Sequence, residues 1–177
     1  MAINFTLINC DYQQHAEAIL EILNDAIVNS TALYDYEPRD MAAMQRWFDA
    51  KTAGNYPVIG AVDETGELLG FASYGTFRAY PAYKYTVEHS VYVHKNHRGK
   101  GLAPQLIEAI LAEARANNFH AVVGAIDADN AASIALHERL GFKLVGMLPE
   151  VGFKFGRWLN LAFYQLLLET PQNPTDG

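Results

Sequence analysis

Val91-Tyr92-Val93-His94-Lys95-Asn96-His97-Arg98-Gly99-Lys100-Gly101-Leu102-Ala103 runs from a β-branched, aromatic strand through a basic, glycine-rich turn into a helix. The helix carries Leu102, Leu106, Ile110 and Ala114 on one face, widened by Ile107 and Leu111. A strand that passes through a tight turn into a helix aims backbone N–H groups and the positive end of the helix dipole at one point, which suits phosphate. Gly99 and Gly101 tolerate positive φ and leave the backbone open to a close approach. Taken alone, the turn fits equally well with Arg98 and Lys100 merely solvated. It is not a P-loop, because no Gly-Lys-Ser or Gly-Lys-Thr occurs. A dinucleotide fingerprint would need one more glycine.

Upstream, Thr86 to Val93 alternates, with Val87, His89, Val91 and Val93 on one face and Glu88, Ser90 and Tyr92 on the other. Val58–Val62 and Leu68–Tyr74 read as a hairpin around Asp63-Glu64-Thr65-Gly66. Before them come a strand at 3–9 and two helices. The first starts with Asp11 and Gln14 as a capping box and buries Ala16, Ile19, Leu20, Leu23 and Ile27. The second starts at Asp40 and is closed by Gly54. Downstream, Ala121 to Ile126 is an apolar run expected of a strand covered on both faces. Asn130 caps a short helix ended by Gly141, and strands at about 142–148 and 154–168 complete the chain. This order predicts an α/β fold of the α+β type, a mixed central sheet with helices on both faces. It is expected as a single domain over 1–170, with 171–177 as a flexible tail.

The glycine turn gains meaning from Asn130-Ala131-Ala132-Ser133-Ile134-Ala135-Leu136-His137-Glu138-Arg139-Leu140-Gly141-Phe142, about 30 residues on. Together the two segments resemble the cofactor motifs of the GNAT acetyltransferase superfamily. Thr86 to Val93, Gly152-Phe153-Lys154-Phe155-Gly156-Arg157-Trp158 and Phe71-Ala72-Ser73-Tyr74-Gly75 resemble, more narrowly, the phosphinothricin and methionine sulfoximine N-acetyltransferases. The likeness covers about residues 3 to 168. It implies a sheet of six to seven strands and acetyl-CoA as co-substrate. Val91, Tyr92 and Val93 would lie along the pantetheine, and Arg98, Gly99, Lys100, Gly101, Leu102, Ala103 and Pro104 over the pyrophosphate. Asn130 and Ser133 would sit beside the pantetheine. Arg78, Ala79, Tyr80, Glu88, His89 and Ser90 would contact a small amino-acid substrate, and relatives of this type are homodimers. Pro104 departs from the family's commoner small pair but is tolerable in a first helical turn, where N–H groups have no intrahelical partner. Phe77 and Thr31-Ala32-Leu33-Tyr34-Asp35 depart near the acceptor pocket, so they bear on the substrate and not on the reaction.

Two residues carry the expected chemistry. Acetyl transfer to an ammonium requires loss of a proton, which Glu88 would accept directly or through water. His137 stands where many relatives have a Tyr that protonates the departing thiolate. It would donate to the sulfur or polarise the water of the amine. Arg78 would clamp an amino-acid carboxylate. The bland readings are a solvated Glu88, a packed His137 and an exposed Arg78. His94 and His97 lack a third ligand, so no metal is expected. Cys10 reads as a core-edge residue.

Composition narrows the classes. Half the residues are hydrophobic, which argues against disorder. Thirteen Lys and Arg against 20 Asp and Glu leave a net charge of −7, which argues against a nucleic-acid surface. The single cysteine points to a reducing compartment. No apolar run reaches the ~20 residues of a membrane span, and polar Asn4, Thr6 and Asn9 do not suit a signal peptide. The expectation is a cytoplasmic acetyl-CoA-dependent N-acetyltransferase acting on a small amine such as methionine sulfoximine, methionine sulfone or phosphinothricin. Two rivals stand beside it: a peptide or protein N-acetyltransferase, and a non-catalytic acyl-CoA-binding protein.

Overall fold

The computed structural model describes residues 3–177. Strand β1 (Thr6–Asn9) is followed by α1 (Tyr12–Asn29), α2 (Met41–Ala53), β2 (Val58–Val62), β3 (Leu68–Thr76) and β4 (Thr86–Val93). Then come α3 (Leu102–Ala116), β5 (Ala121–Asp127), α4 (Ala131–Arg139), β6 (Lys143–Lys154) and β7 (Arg157–Leu167). The seven strands form one sheet in the order β1-β2-β3-β4-β5-β7-β6. Only β4 and β5 pair in parallel, and the α3 crossover between them is what a parallel neighbour requires.

Local sequence explains the starts of the helices. Asp11 accepts from the Gln14 amide at 2.8 Å, Asp40 from Ala43 at 2.7 Å and Asn130 from Ser133 at 3.1 Å. The reciprocal half of the α1 cap comes from His15, whose Nδ1 accepts from the Asp11 amide at 3.1 Å, and not from Gln14. Leu20 is only partly buried; Ile22 takes the core position instead. Gly141 adopts φ 90°, as its place after α4 suggested, whereas Gly54 stays right-handed and Asn55 makes the left-handed turn. β6 is longer than expected and turns into β7 at Phe155 and Gly156, both at positive φ.

The sheet separates two cores. Leu102, Leu106, Ile107 and Ile110 of α3 pack on Val87, Val122, Ala72 and Tyr74. On the opposite face, Ile19 and Leu23 of α1 and Met44 and Phe48 of α2 pack on Phe71, Val58 and Leu68. β4 runs between these layers, so its two side-chain faces look into different halves of the molecule. After Leu167 the chain has no helix or strand; Leu168 is still buried in the α3-side core, and the chain is exposed from Gln172 on, where the Thr175 amide donates to the Tyr85 hydroxyl at 3.1 Å.

Candidate active site

The decisive geometry is a parting of strands. β4 pairs with β5 only through Thr86↔Ala121, Val87↔Val122 and Glu88↔Val123, yet β4 continues to Val93 and β5 to Asp127. The His94 amide donates to Leu69 O across β3, so alternation turns the N–H and C=O of Val91 and Val93 away from β3, toward the widening gap. A length of strand edge is thereby open inside the sheet. The gap holds a cleft of about 110 Å³ lined by His89, Ser90 and Tyr92 on one side and Gly124, Asp127, Asn130, Ser133 and His137 on the other.

At the end of β4 the chain turns through Gly99 (φ 74°) and Gly101 (φ 80°). A Cβ at either would meet nothing within 4 Å. Unlike the other three helices, α3 begins on Gly101 with no side-chain cap, which leaves the amides of its first turn available. Pro104 sits in that turn without disturbing it. The basic side chains lie beside the turn and hold partners of their own. Arg98 contacts Asp25 at 3.1 Å and Val93 O at 3.4 Å, and Lys100 donates to Asn96 O at 3.0 Å.

Of the two candidate catalytic residues, Glu88 lies on one face of β4, and His137 of α4 packs against His89 on the opposite face. Glu88 is half-buried, and burial raises its carboxyl pKa. His89, on the α3 face, is buried against His137, with Nε2 to Nε2 at 2.9 Å. Its Nδ1 meets Val123 O at 3.0 Å, at the last residue of β5 that pairs with β4. Burial pushes His89 down to about 4, the nearness of His137 adds to the shift, and the Val123 carbonyl opposes it. His137 Nδ1 lies 2.7 Å from Ser133 O and 3.4 Å from Ser133 Oγ, and burial lowers its pKa as well. Both rings contact Phe142, at 5.2 and 5.1 Å between centroids. Both nitrogens of each imidazole are therefore occupied by protein groups.

Arg78, Ala79 and Tyr80 do not line the cleft. With Tyr56, Thr76, Tyr83 and Thr86 they surround a separate depression of about 210 Å³, and the Arg78 guanidinium lies over the Phe77 ring at 5.4 Å. Thr86, Glu88 and Ser90 share one face of β4. Glu88 thus stands between the depression, which Thr86 lines, and the cleft, which Ser90 lines.

Of four further polar residues near the site, Asp127 and Lys51 carried no signal in the sequence, whereas Tyr34 and Lys154 fall in stretches that the sequence singled out without giving them a role. Asp127 lines the cleft with one carboxylate oxygen buried and unpartnered, and the Tyr34 hydroxyl is buried without a partner as well. Lys51 donates to Tyr74 O at 2.8 Å, and burial lowers its pKa to about 8. Lys154 donates to the carbonyls of Ile27, Ser30 and Leu33, fixing the loop that brings Ala32 to the cleft. No cluster of three or more His, Cys, Asp or Glu able to hold a metal occurs among the described residues.

The model of the acetyltransferase (GNAT) family matches residues 17–142. This chain belongs to the GNAT acetyltransferase family. The GNAT chain is 52% identical, over 85% of its length and 88% of the relative's, to an L-methionine sulfoximine/L-methionine sulfone acetyltransferase of Pseudomonas paraeruginosa. It superposes with a TM-score of 0.92 on a phosphinothricin acetyltransferase of Sinorhizobium meliloti solved in complex with acetyl-CoA, at 35% identity, covering 99% and 95% of the two chains. It is also 42% identical to the L-amino acid N-acyltransferase MnaT of Escherichia coli, over 89% of this chain and 91% of that one. The fold and the family are those the strand-turn-helix stretch and Asn130 segment together suggested, and the protein is an N-acetyltransferase.

Proposed function

We propose that this enzyme transfers the acetyl group of acetyl-CoA to the amine of a small amino acid or analogue, with methionine sulfoximine and methionine sulfone as preferred acceptors and phosphinothricin as a further one. The observation that carries the reading is the position of Glu88 between the open β4 edge and the Arg78 depression. A cleft for a thioester and a depression for an acceptor flank one carboxylate. The names of the relatives supply the acceptor class.

The residues fit the co-substrate. The N–H and C=O groups of Val91 and Val93 that face the gap, of which Val93 O has a long 3.4 Å contact with Arg98, can pair with the amides of a pantetheine arm as an added strand. The open amides at Gly99 to Ala103 suit a pyrophosphate, as does the uncapped start of α3. Asn130 spends its Oδ1 on the α4 cap, which leaves its amide donors for the cleft. Acetyl-CoA supplies the activated acetyl group. An N–H of β4 would then stabilise the charge that develops on the carbonyl oxygen. Glu88 accepts the ammonium proton directly or through water, and its raised pKa moves it toward that task. Cys10 supports direct transfer over an acetyl-enzyme: burial pushes its thiol up to about 12, so little thiolate exists to act as a nucleophile. Arg78 is proposed to hold the acceptor carboxylate from the depression.

The assembly is proposed to be a homodimer through the last hairpin, where Val151, Phe153, Phe155 and Trp158 are exposed. The lone cysteine supports a reducing, cytoplasmic setting; no helix among the described residues is long and apolar enough to cross a membrane.

A panel of amines incubated with acetyl-CoA and followed by free-thiol release tests the reading. Methionine sulfoximine and sulfone should turn over fastest. Turnover with peptides but not with free amino acids would overturn the small-acceptor assignment. Tight acetyl-CoA binding without thiol release across the panel would overturn the enzymatic one for these acceptors.

A further inference from the structure

The buried pair of imidazoles poses a question of proton count. His89 Nδ1 faces a carbonyl, Val123 O at 3.0 Å, and His137 Nδ1 faces another, Ser133 O at 2.7 Å. Carbonyls only accept, so both Nδ1 atoms carry hydrogen in this arrangement. Two neutral rings would then have bare lone pairs on both Nε2 atoms, yet those atoms are 2.9 Å apart. That distance is a hydrogen bond and needs a proton between them. The arrangement is therefore satisfied by three protons on four nitrogens, a single positive charge shared by the pair. Burial opposes even this single charge, pushing His89 down to about 4 and lowering His137 as well, so the pair takes up its third proton on the acid side, and repulsion between the rings opposes a second charge.

A neutral alternative lies one proton away. The Ser133 hydroxyl stands 3.4 Å from His137 Nδ1 and lines the cleft. If His137 Nδ1 loses its hydrogen, Ser133 Oγ–H donates to it, His137 Nε2–H donates to His89 Nε2, and His89 Nδ1–H still donates to Val123 O. Ser133 O remains the acceptor of its helical bond. The pair can thus change protonation with a small turn of the His137 ring, from the Ser133 carbonyl 2.7 Å away toward Ser133 Oγ, and the group between it and the cleft is Ser133. His137 itself has no nitrogen free to reach a sulfur in the cleft.

We propose that His89 and His137 together hold one exchangeable proton, and that the Ser133 hydroxyl relays a proton from His137 Nδ1 to the thiolate released in the cleft. This rests on the acetyl-CoA reading above. In the step, the S–H bond forms as the Ser133 O–H bond breaks, while Ser133 Oγ takes the hydrogen of His137 Nδ1. The shared proton settles on His137 Nε2, leaving the neutral arrangement just described. Water returns the missing proton once products have left. His89 is a positioning residue here: both its ring nitrogens are held by protein groups, and its Nε2 decides where the proton on His137 rests. Other titratable groups lie around the pair. Glu88 is on the far face of β4, Asp127 ends β5, Glu138 follows on α4, and Tyr164 of β7, opposite Gly124, bonds to Glu138 at 3.4 Å. None of them is hydrogen-bonded to either ring.

Nitrogen NMR of the whole protein, labelled at histidine and free of ligand, reads the proton count without reference to turnover. Expected are three ring protons on the pair at the acid end of the folded range, with a scalar coupling between the two Nε2 nuclei. As pH rises one proton should leave, from His137 Nδ1, while the coupling persists. Two Nδ1 protons at every pH with no coupling, or two rings titrating independently, would overturn the proposal. Steady-state kinetics then tests the relay. Ser133→Ala should lower kcat about a hundredfold with KM for both substrates nearly unchanged, and Ser133→Thr should restore most of it. His89→Phe, which keeps a ring against Phe142, should lower kcat similarly and abolish the titration at His137 Nδ1. Wild-type kcat in Ser133→Ala sinks the relay. Absence of thiol release from the wild-type enzyme with any amine sinks the acetyl-CoA reading instead, and the NMR count would still stand or fall by itself.

Discussion

Gly124 stands directly against the imidazole of His89: a Cβ at Gly124 would lie 2.7 Å from His89 Cε1 and 3.5 Å from His137 Cδ2. The missing side chain lets a histidine occupy the point where β4 and β5 part. His89 cannot easily yield, because both its nitrogens are engaged and Phe142 lies against its ring. Gly124→Ala is therefore expected to destabilise the fold by about 1–3 kcal/mol, the usual range for overpacking. Activity should fall further than the lost stability accounts for, since the displaced ring lines the cleft. Chemical denaturation and thiol release, measured on the same preparation, check both. A variant with wild-type stability would mean that the ring moves freely.

Glu88→Gln should separate stability from catalysis. Removing the proton acceptor is expected to lower kcat about a hundredfold or more while acetyl-CoA affinity stays the same. Burial raises the folded pKa of Glu88 above its unfolded value. Its protonated form is thus favoured in the folded state, and that contribution is fully present below the unfolded pKa and lost as pH rises through the folded one. At neutral pH the wild type carries a desolvated charge that Gln lacks, so the variant should melt higher there. The advantage should vanish in acid. The low-pH limb of kcat/KM in the wild type should likewise be missing from the residual activity of the variant.

What was legible in the chain was whatever a few neighbouring residues decide. The alternation of Thr86 to Val93 placed Glu88 and His89 on opposite faces, and Asn130 and Gly141 bounded α4. The parting of β4 from β5 was not legible, because register between strands far apart in sequence leaves no local pattern. The meeting of His89 with His137, 48 residues apart, is of the same kind. So is the grip of Lys154 on carbonyls more than a hundred residues away. The end of β6 was misplaced for another reason. Phe155 adopts φ 53°, a conformation for which a phenylalanine gives no warning.

Lys154→Met tests that grip. The ammonium is buried and donates at 2.6, 2.9 and 2.7 Å to Ile27, Ser30 and Leu33, whose carbonyls would be left without this donor. A loss of roughly 3 kcal/mol is expected from breaking hydrogen bonds to a buried charged group. Hydrogen exchange should rise first in the segment 28–36, and KM for acetyl-CoA should rise with it, since Ala32 lines the cleft.

The proposed dimer rests on the last hairpin. Trp158 is 59% exposed and packs edge-on against Phe153 at 5.1 Å, beside Val151 and Phe155. Trp158→Glu would place a charge in that apolar surface, and sedimentation should show a shift from dimer to monomer. A wild-type protein that sediments as a monomer at every concentration overturns the assembly without touching the chemistry.

Asp25 and Arg98 are the last pair that can be separated by experiment. Arg98 lies beside the open amides of the glycine turn, but its guanidinium is held 3.1 Å from the Asp25 carboxylate. Lys95 is 4.0 Å from the same carboxylate. One acid thus offsets two cations at the place proposed for a pyrophosphate. Arg98→Ala should weaken acetyl-CoA binding several-fold. Asp25→Asn should strengthen it by a smaller factor, because a negative charge near the anion is removed and Arg98 is released. Both effects should shrink as salt is raised, as expected of exposed charges. Calorimetric titration at two salt concentrations distinguishes this from a structural role for Asp25, which would give weaker binding in both variants.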